Sequence, residues 1–161
     1  MKTILKEEGY PLTLLKTYLA MVAGSVGSKM FRKLYVTTPD GSNDVIGDGD
    51  LACAFYVSSM LSLCGLIHGG VHTTVTETIQ DLVASGWVEI NAPKSGAVVV
   101  WESQVGTDGA AHRHIGIALS NMIALSNVSK LRQPGLHDMG CGKHRSVEKV
   151  YFHPKLENDT M

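Results

Sequence analysis

Charged residues are few and evenly balanced in this chain of 161 residues. They make up 18% of the chain, and 14 Lys and Arg stand against 15 Asp and Glu, which gives a net charge of −1. A protein that binds duplex nucleic acid needs a cluster of cations to neutralise phosphates, and no basic stretch stands out here. We therefore expect no nucleic-acid partner.

Long apolar runs are also missing. The candidate stretch from Leu12 to Val26 is interrupted by Lys16, Gly24 and Ser25, so no window is long enough to cross a bilayer. The N-terminal stretch MKTILKEEGYPL contains two glutamates and lacks the pattern of a secretory signal peptide. We expect no membrane partner, and a location that is cytoplasmic or, with a signal already removed, exported.

Cysteine and proline are sparse, with three and five residues. Three is an odd number and the spacing is not that of a disulfide framework, so we expect reduced thiols. Hydrophobic residues nevertheless make up 44% of the chain, which is enough to build a core. We expect one domain over residues 1–161, with its core at about 50–152 and an N-terminal helical segment at about 12–31.

The N-terminal half of the chain carries helical patterns. Apolar residues close to helical spacing predict an amphipathic helix within segment 12–31. The most apolar run, Leu51–Ile67, predicts a buried helix. Thr74-x-x-Glu77 ahead of apolar residues fits a capping box and predicts a further helix from Val75 to Ser85.

The C-terminal half carries strand patterns, because the apolar residues there recur with period two or in short blocks. Strands are expected at Val88–Ile90, Ala97–Trp101, His114–Leu119, Met122–Val128 and Val147–Phe152. Ser120-Asn121 predicts a tight hairpin turn, and the polar segment Thr37–Asp50 predicts a loop. Helices followed by strands indicate an α+β fold, with N-terminal helices packed on a small antiparallel meander.

Cys53 lies where a reactive thiol is expected. It is at or near the first turn of the helix predicted over Leu51–Ile67, where free N–H groups and the helix dipole favour a thiolate and can hold an oxyanion. Cys64 lies at the far end of the same helix, where no dipole activates it, and we assign it to the core. The alternative role for Cys53 is that of a small buried hydrophobe.

Further polar groups lie on two predicted strands. His112 and His114 point to one face of their strand, and Gly116 on that face leaves room beside the imidazole. Ser126 and Asn127 interrupt the next apolar strand, and a buried Asn needs hydrogen-bond partners such as the second nitrogen of a histidine ring. Together with a thiol, these groups supply a nucleophile, a base and an orienting residue.

Three segments of the chain resemble segments of the NlpC-type and CHAP-type cysteine hydrolases, and they follow one another in the same order as in that family. The run DLACAFYV at 50–57 resembles their nucleophile helix, and HIGIALSN at 114–121 looks like their histidine strand with its hairpin. The run PKSGAVVVW at 93–101 resembles the turn and strand between the two. The likeness spans about Asp50 to Val128, which is roughly half the chain.

This resemblance implies a papain-like fold and a thiol hydrolase that cleaves an amide or peptide bond, in a bacterial cell-wall peptide or a related amide. By the same likeness Cys53 is the nucleophile and His114 the general base. The third residue comes from the next strand, and Asn127 is preferred over Ser126. No cofactor is implied, and the expected partner is a peptide or peptidoglycan-fragment substrate.

Three residues are expected to bind substrate around this cleft. Tyr35 is the nearest candidate for the upstream tyrosine of the family, His112 lies on the strand of the base, and His137 lies on a segment that follows the third strand. The chain departs from the NlpC-type pattern beside the nucleophile. Ala52 precedes it where Asp is common, and Ala54 follows it where Ser is common.

Two other functions stay open at the level of sequence. His137, Cys141 and His144 could supply three zinc ligands, and three protein ligands plus water make a catalytic zinc site, which predicts a zinc hydrolase. The same fold could instead act as a non-catalytic module that binds peptide or glycan. In that case a side chain is expected to separate Cys53 from His114.

Overall fold

The computed structural model describes residue 9, residues 11–106 and residues 108–159. Over these residues the chain forms three α-helices, eight strands in two antiparallel sheets and one C-terminal 3-10 helix. The predicted α+β class is confirmed at this level. No helix within the described ranges combines the length and the apolar character needed to cross a bilayer.

The helices lie inside the ranges that the sequence predicts. They are α1 (Leu14–Gly24), α2 (Cys53–Leu63) and α3 (Val75–Ala84). Helix α2 is shorter than its apolar run, because Gly65 leaves the helical region with a φ of 66°. The capping box of α3 is confirmed: Thr74 Oγ1 accepts the Glu77 N–H at 3.1 Å and donates to the Glu77 carboxylate at 2.9 Å.

A small hairpin precedes α2, where the sequence predicts only a loop. Its strands β1 (Tyr35–Thr38) and β2 (Gly41–Asp44) pair antiparallel around a turn that ends at Gly41, whose φ is 118°. Most residues of both strands are exposed and polar. They carry no apolar alternation, which is why the pattern over Thr37–Asp50 does not reveal them.

The larger sheet contains six strands. They are β3 (Val88–Glu89), β4 (Val98–Val105), β5 (Ala111–Ala118), β6 (Ile123–Val128), β7 (Gln133–Asp138) and β8 (Val147–Phe152). The spatial order is β3-β8-β4-β5-β6-β7. The predicted meander therefore holds from β4 to β6, an unpredicted β7 extends it, and β8 returns to lie between β3 and β4. This places β4 inside the sheet, where Val98–Trp101 is fully buried.

Strand β7 is absent from the sequence prediction. It contains Pro134 and Gly135, two residues that are uncommon inside strands. The strand lies at the edge of the sheet, where a proline without an N–H is tolerated. The Pro134 carbonyl accepts the Gly27 N–H at 2.9 Å, which ties the edge to the segment after α1.

Helix α2 packs on β5 and β6. Its buried side chains include Tyr56, Val57 and Leu61, and burying each such side chain contributes about 1.5–3 kcal/mol. This packing holds the first residue of the helix, Cys53, beside the strand that carries His114.

Candidate active site

The segment before α2 turns sharply. Gly47, Asp48 and Gly49 have φ values of 60°, 55° and 88°, and such values are strained for a residue with a side chain such as Asp48. Three cations hold the Asp48 carboxylate, namely Arg32 at 2.8 Å, Lys33 at 3.1 Å and Arg132 at 3.1 Å. The hydrogen bond from Lys33, followed by those from the two arginines, lowers the pKa of Asp48 and keeps it ionised.

Asn127 fastens the same segment from the sheet. It is buried, and its Nδ2 donates to the Gly49 carbonyl at 2.8 Å. Within the described part of the chain, Asn127 makes no hydrogen bond to His114. The expectation that Asn127 orients the histidine is therefore corrected: Asn127 positions the loop that enters α2, and Ser126, the second choice, contacts His114 instead.

Cys53 begins α2, and the preceding Ala52 offers no side-chain cap to the first N–H groups of the helix. Cys53 is partly buried and packs against the core. Burial raises the pKa of the Cys53 thiol, while the backbone N–H groups of Ile115 and Ala54 and the charge of Arg145 offset part of the rise. Desolvation therefore outweighs the helix N-terminus, and the resting group is the thiol.

His114 lies opposite Trp101 in the β4–β5 pair, with the two ring centroids 5.4 Å apart. Its Nε2 lies 2.7 Å from Ser126 Oγ on β6. Gly116 makes this approach possible, because a Cβ there would lie 2.8 Å from Ser126 Cβ and 3.0 Å from the Trp101 ring. A side chain at position 116 would push the serine or the tryptophan away from the imidazole.

A hydrogen-bond chain continues from His114 across two strands. Ser126 Oγ lies 2.8 Å from His137 Nε2 on β7, and His137 Nδ1 lies 2.8 Å from the Asp138 carbonyl oxygen. Ser126 is fully buried, and a buried hydroxyl needs hydrogen-bond partners. The two histidines provide them.

The Asp138 carbonyl, the last acceptor, fixes which atoms donate and which accept along this series of hydrogen bonds. A carbonyl oxygen can only accept, so His137 Nδ1 carries a hydrogen and, in the neutral ring, His137 Nε2 is an acceptor. The Ser126 hydroxyl then donates to His137 and accepts from His114 Nε2–H. The proton on His114 is thereby held at Nε2, which leaves the lone pair on Nδ1.

The His114 ring is kept neutral. Burial, then the positive charge of Arg145, then His137 lower its pKa to about 3. Among the described residues, no hydrogen bond joins either ring nitrogen of His114 to Cys53 Sγ, although the sulfur lies beside the N–H of the next residue, Ile115. The two groups therefore form a neutral thiol and a neutral imidazole rather than an ion pair.

A loop over residues 139–146 closes this end of the sheet. The Asp138 carboxylate accepts the N–H groups of Gly140 at 2.9 Å and Gly142 at 2.7 Å, which lower its pKa. Trp101 Nε1 donates to the Met139 carbonyl at 2.6 Å. The loop is thus fixed to the tryptophan that packs on the candidate base.

The zinc arrangement predicted for this loop does not form in the described residues, which contain no group of three or more side chains able to hold a metal. Both ring nitrogens of His137 lie against oxygen atoms. Cys141 Sγ lies 3.6 Å from His137 Nδ1, and burial raises the pKa of this thiol to about 11. His144 is exposed.

The other predicted binding residues lie apart from the hydrogen-bond chain. Tyr35 is 61% exposed on β1, beside Lys33, and no hydrogen bond or ring contact links it to His114 or Cys53 over the residues described. His112 lies at the start of β5, with Nε2 2.7 Å from the Asp108 carboxylate.

His137 has a hydrogen bond that the sequence analysis does not anticipate. The prediction sets His137 at the border of the cleft, and the structure adds its contact with Ser126. The signal for this is the alternation Gln133, Gly135, His137, which puts three residues on one face of β7. Pro134 within the alternation hides it.

Comparisons with known proteins add no relative. No family model matches the chain, and no curated protein matches it significantly. The chemistry of the site is therefore argued from its own geometry and from the resemblance of the three segments.

Proposed function

We propose that this chain is a thiol hydrolase of papain-like fold that cleaves an amide or peptide bond. Cys53 is the nucleophile, His114 is the general base and then the general acid, and Ser126 orients the histidine. The observation that carries the proposal is the hydrogen-bond chain from His114 through Ser126 to His137, which holds the His114 proton on Nε2. Nδ1, the nitrogen left with a lone pair, is the one that serves Cys53.

The reaction proceeds in two halves. As the substrate enters, the sulfur and Nδ1 approach, as catalytic hydrogen bonds commonly do in the Michaelis complex. Nδ1 takes the Cys53 proton while the sulfur bonds to the amide carbon, and the C–N bond then breaks as Nδ1–H protonates the leaving amine. Water next attacks the thioester, again giving a proton to Nδ1, and release of the acid returns the proton to the sulfur.

The first turn of α2 supplies the electrophilic part of the site. The Cys53 N–H lies at a helix N-terminus without a side-chain cap, so it can donate to the oxyanion that forms on the attacked carbonyl. Removing one such donor in other acyl-transfer enzymes costs about 10²–10³ in rate. Asn127 supports this group indirectly, because it fixes the loop that enters the helix.

The electrostatics favour general-base attack over a preformed ion pair. The pKa of Cys53 is raised and the pKa of His114 is lowered to about 3, so both groups are neutral near pH 7. His114 stays unprotonated, and able to act as a base, until the pH falls towards its own pKa. The acid limb of kcat/KM is therefore expected well below the ordinary imidazole range, and a limb near pH 6.5 would contradict this assignment.

The substrate class follows from the resemblance to NlpC-type and CHAP-type hydrolases, whose members act on peptides of the bacterial cell wall. Incubation with muropeptides, followed by mass spectrometry, tests this directly. Cleavage by the wild-type chain and not by Cys53→Ala is the expected result. Stable binding of muropeptides without cleavage would favour the non-catalytic module.

Alkylation tests the nucleophile without a known substrate. At mildly alkaline pH, iodoacetamide should label Cys53 before Cys64, because His114 can take the proton from Cys53, whereas the hydrogen bond of the Cys64 sulfur in the described residues goes to the Met21 sulfur at 3.7 Å. Peptide mapping by mass spectrometry follows both thiols in the same sample. His114→Gln should remove the preference, and equal labelling in the wild-type chain would overturn the proposal.

A further inference from the structure

Arg145 is fixed at the end of the strand pair that carries the base. Its Nη1 donates to the Glu102 carbonyl of β4 at 3.2 Å and to the His112 carbonyl of β5 at 3.1 Å. These carbonyls lie just beyond the Trp101–His114 pair, where the register of β4 shifts. The guanidinium therefore bridges both strands next to the proposed site.

The backbone around Arg145 is held from several directions. Its own N–H donates to the Gly140 carbonyl at 3.2 Å, inside the loop that Asp138 fastens. The Gln104 side chain donates to the His144 carbonyl, and the Ser146 N–H donates to the Glu102 carboxylate at 3.0 Å. Arg145 thus sits on a fixed backbone.

Among the described residues, no carboxylate pairs with the charge of Arg145. In the described ranges Arg145 is partly buried, forms no ion pair, and makes no hydrogen bond through Nε or Nη2. The other three arginines each pair with a carboxylate: Arg32 and Arg132 with Asp48, and Arg113 with Glu148. The unused donors of Arg145 are not among the buried, unpartnered polar atoms of the described residues, so they are accessible to an anion from solution.

Its charge also reaches the reacting groups. Arg145 contributes to lowering the pKa values of both Cys53 and His114, so it lies within electrostatic range of the thiol and the imidazole. An anion bound to Arg145, which is fixed to the β4 and β5 carbonyls beyond the Trp101–His114 pair, would thus lie within the same electrostatic range of the reacting groups.

We propose that Arg145 is a specificity-determining residue that binds a carboxylate of the substrate beside the scissile amide. This inference rests on the proposed hydrolase function and narrows its substrates to peptides or amides with a free acidic group next to the cleaved bond. The unused Nε and Nη2 form the planar fork that binds a carboxylate through two parallel hydrogen bonds.

A pair of alkylating reagents measures this recognition. Iodoacetate carries a carboxylate and iodoacetamide does not, so the ratio of their rates at one thiol reports anion binding independently of how much thiolate is present. At Cys53 this ratio should exceed the ratio at Cys64, the internal reference, by about five- to tenfold. Arg145→Gln should bring the two ratios together.

Two variants sharpen the result. Lys143→Gln removes an exposed cation two residues away and should leave the Cys53 ratio unchanged. Arg145→Lys keeps the charge but loses the fork, and should retain only part of the preference. Equal ratios in the wild-type chain, or a preference that survives Arg145→Gln in a folded protein, would overturn the inference. Cys53 labelling no faster than Cys64 with either reagent would overturn the hydrolase proposal instead.

A second measurement tests carboxylate binding by Arg145 separately from the hydrolase proposal. In Cys53→Ala, phenylglyoxal modification of Arg145 is followed by peptide mapping in the presence of N-acetylglutamate or its neutral diamide. Protection of Arg145 by the acid, without protection of Arg113, is the expected result. Equal modification with and without the acid would overturn carboxylate binding whatever the thiol does.

Discussion

Two histidine clusters in this molecule each combine a histidine, a serine and a neighbouring glycine, but their hydrogen bonds end on different acceptors. The first comprises His72, Asp81, Ser85 and the neighbouring Gly69, and the second comprises His114, Ser126, His137 and the neighbouring Gly116. Each glycine makes room for the cluster, since a Cβ at Gly69 would lie 2.7 Å from the Asp81 carboxylate and one at Gly116 would lie 2.8 Å from Ser126.

The first cluster is closed by a carboxylate that is fully occupied. Asp81 accepts from His72 at 2.7 Å, from Ser85 at 3.0 Å and from the N–H groups of His68 and Gly69. Burial raises the pKa of Asp81, but the hydrogen bonds outweigh it and the net pKa is lowered. Each of these groups donates to the carboxylate, so the cluster holds the loop before α3 in place.

The second cluster contains no carboxylate. It ends on the Asp138 carbonyl, so it can orient protons but cannot stabilise a charged imidazole at rest. The comparison shows two ways of fixing an imidazole: an anion holds His72 within the loop before α3, whereas a neutral relay holds His114 and leaves its Nδ1 lone pair for the proposed reaction. The predictions that follow separate these two roles.

Asp81→Asn is expected to have the largest effect on stability. The substitution removes a buried anion with several hydrogen bonds, which should cost about 3 kcal/mol of unfolding free energy. Urea unfolding measures the loss, and Asp50→Asn in a segment nearer the surface should change little. Labelling of Cys53 in the folded variant should be unchanged. A matching loss of Cys53 reactivity would show that the two clusters are not independent.

Ser126→Ala should act on the reaction more than on the fold. Without the hydroxyl, His114 no longer has its proton held at Nε2, and the rate of hydrolysis should fall about a hundredfold. His137→Gln, one step further along the chain, should cause a smaller fall, since the serine contact to His114 persists. The variant rates on a cleaved muropeptide measure both. An unchanged rate in Ser126→Ala would remove the serine from the mechanism.

The two clusters are expected to lose their contributions to the free energy of unfolding in different pH ranges. The pKa of His114 in the fold is about 3, below its ordinary value of 6.5. The unfolded chain therefore takes up a proton as the pH falls from 6.5 while the folded chain does not. This stabilisation is fully present above pH 6.5 and is lost by up to about 1.4 kcal/mol per pH unit on the way down to pH 3.

Variants assign this loss to residues. His114→Gln should flatten the decline of unfolding free energy between pH 6.5 and 4, while His144→Gln should not. The contribution of Asp81, whose pKa is lowered, is present above the ordinary aspartate pKa and is lost only below it. An identical decline in wild type and His114→Gln would show that the imidazole is not held neutral.

The sequence was sufficient for the parts of the site that lie at element boundaries. Cys53 is placed by the apolar run and by the polar loop before it, and His114 by the alternation of its strand. Both signals are local, because a helix start and a strand face depend on neighbouring residues. The capping box at Thr74 was readable for the same reason.

The choice between Ser126 and Asn127 depended on one residue of register. A two-residue turn at Ser120-Asn121 would set Asn127 opposite His114. The observed pairing of Ile117 with Leu125 is centred on Asn121, which moves Ser126 onto the histidine face and turns Asn127 to the other face. Turn length is not fixed by composition, so the sequence could not settle this.

Features that depend on contacts between distant segments could not be predicted from the sequence, for a related reason. Strand β7 exists because it pairs with β6, not because Pro134 and Gly135 favour a strand. The environment of Arg145, which pairs with no carboxylate of the described residues, likewise depends on which groups the fold brings near it. Both become visible only when distant segments are assembled.

The edge position of β7 has a consequence for how the protein responds to heat. Edge strands open before the interior of a sheet, and β7 carries the far end of the relay in His137. Local unfolding of this strand would break the hydrogen bond between His137 and Ser126 while the helices and inner strands stay intact. The proposed hydrolase activity is then expected to be lost first on heating, at temperatures where the bulk of the molecule still has its native circular dichroism.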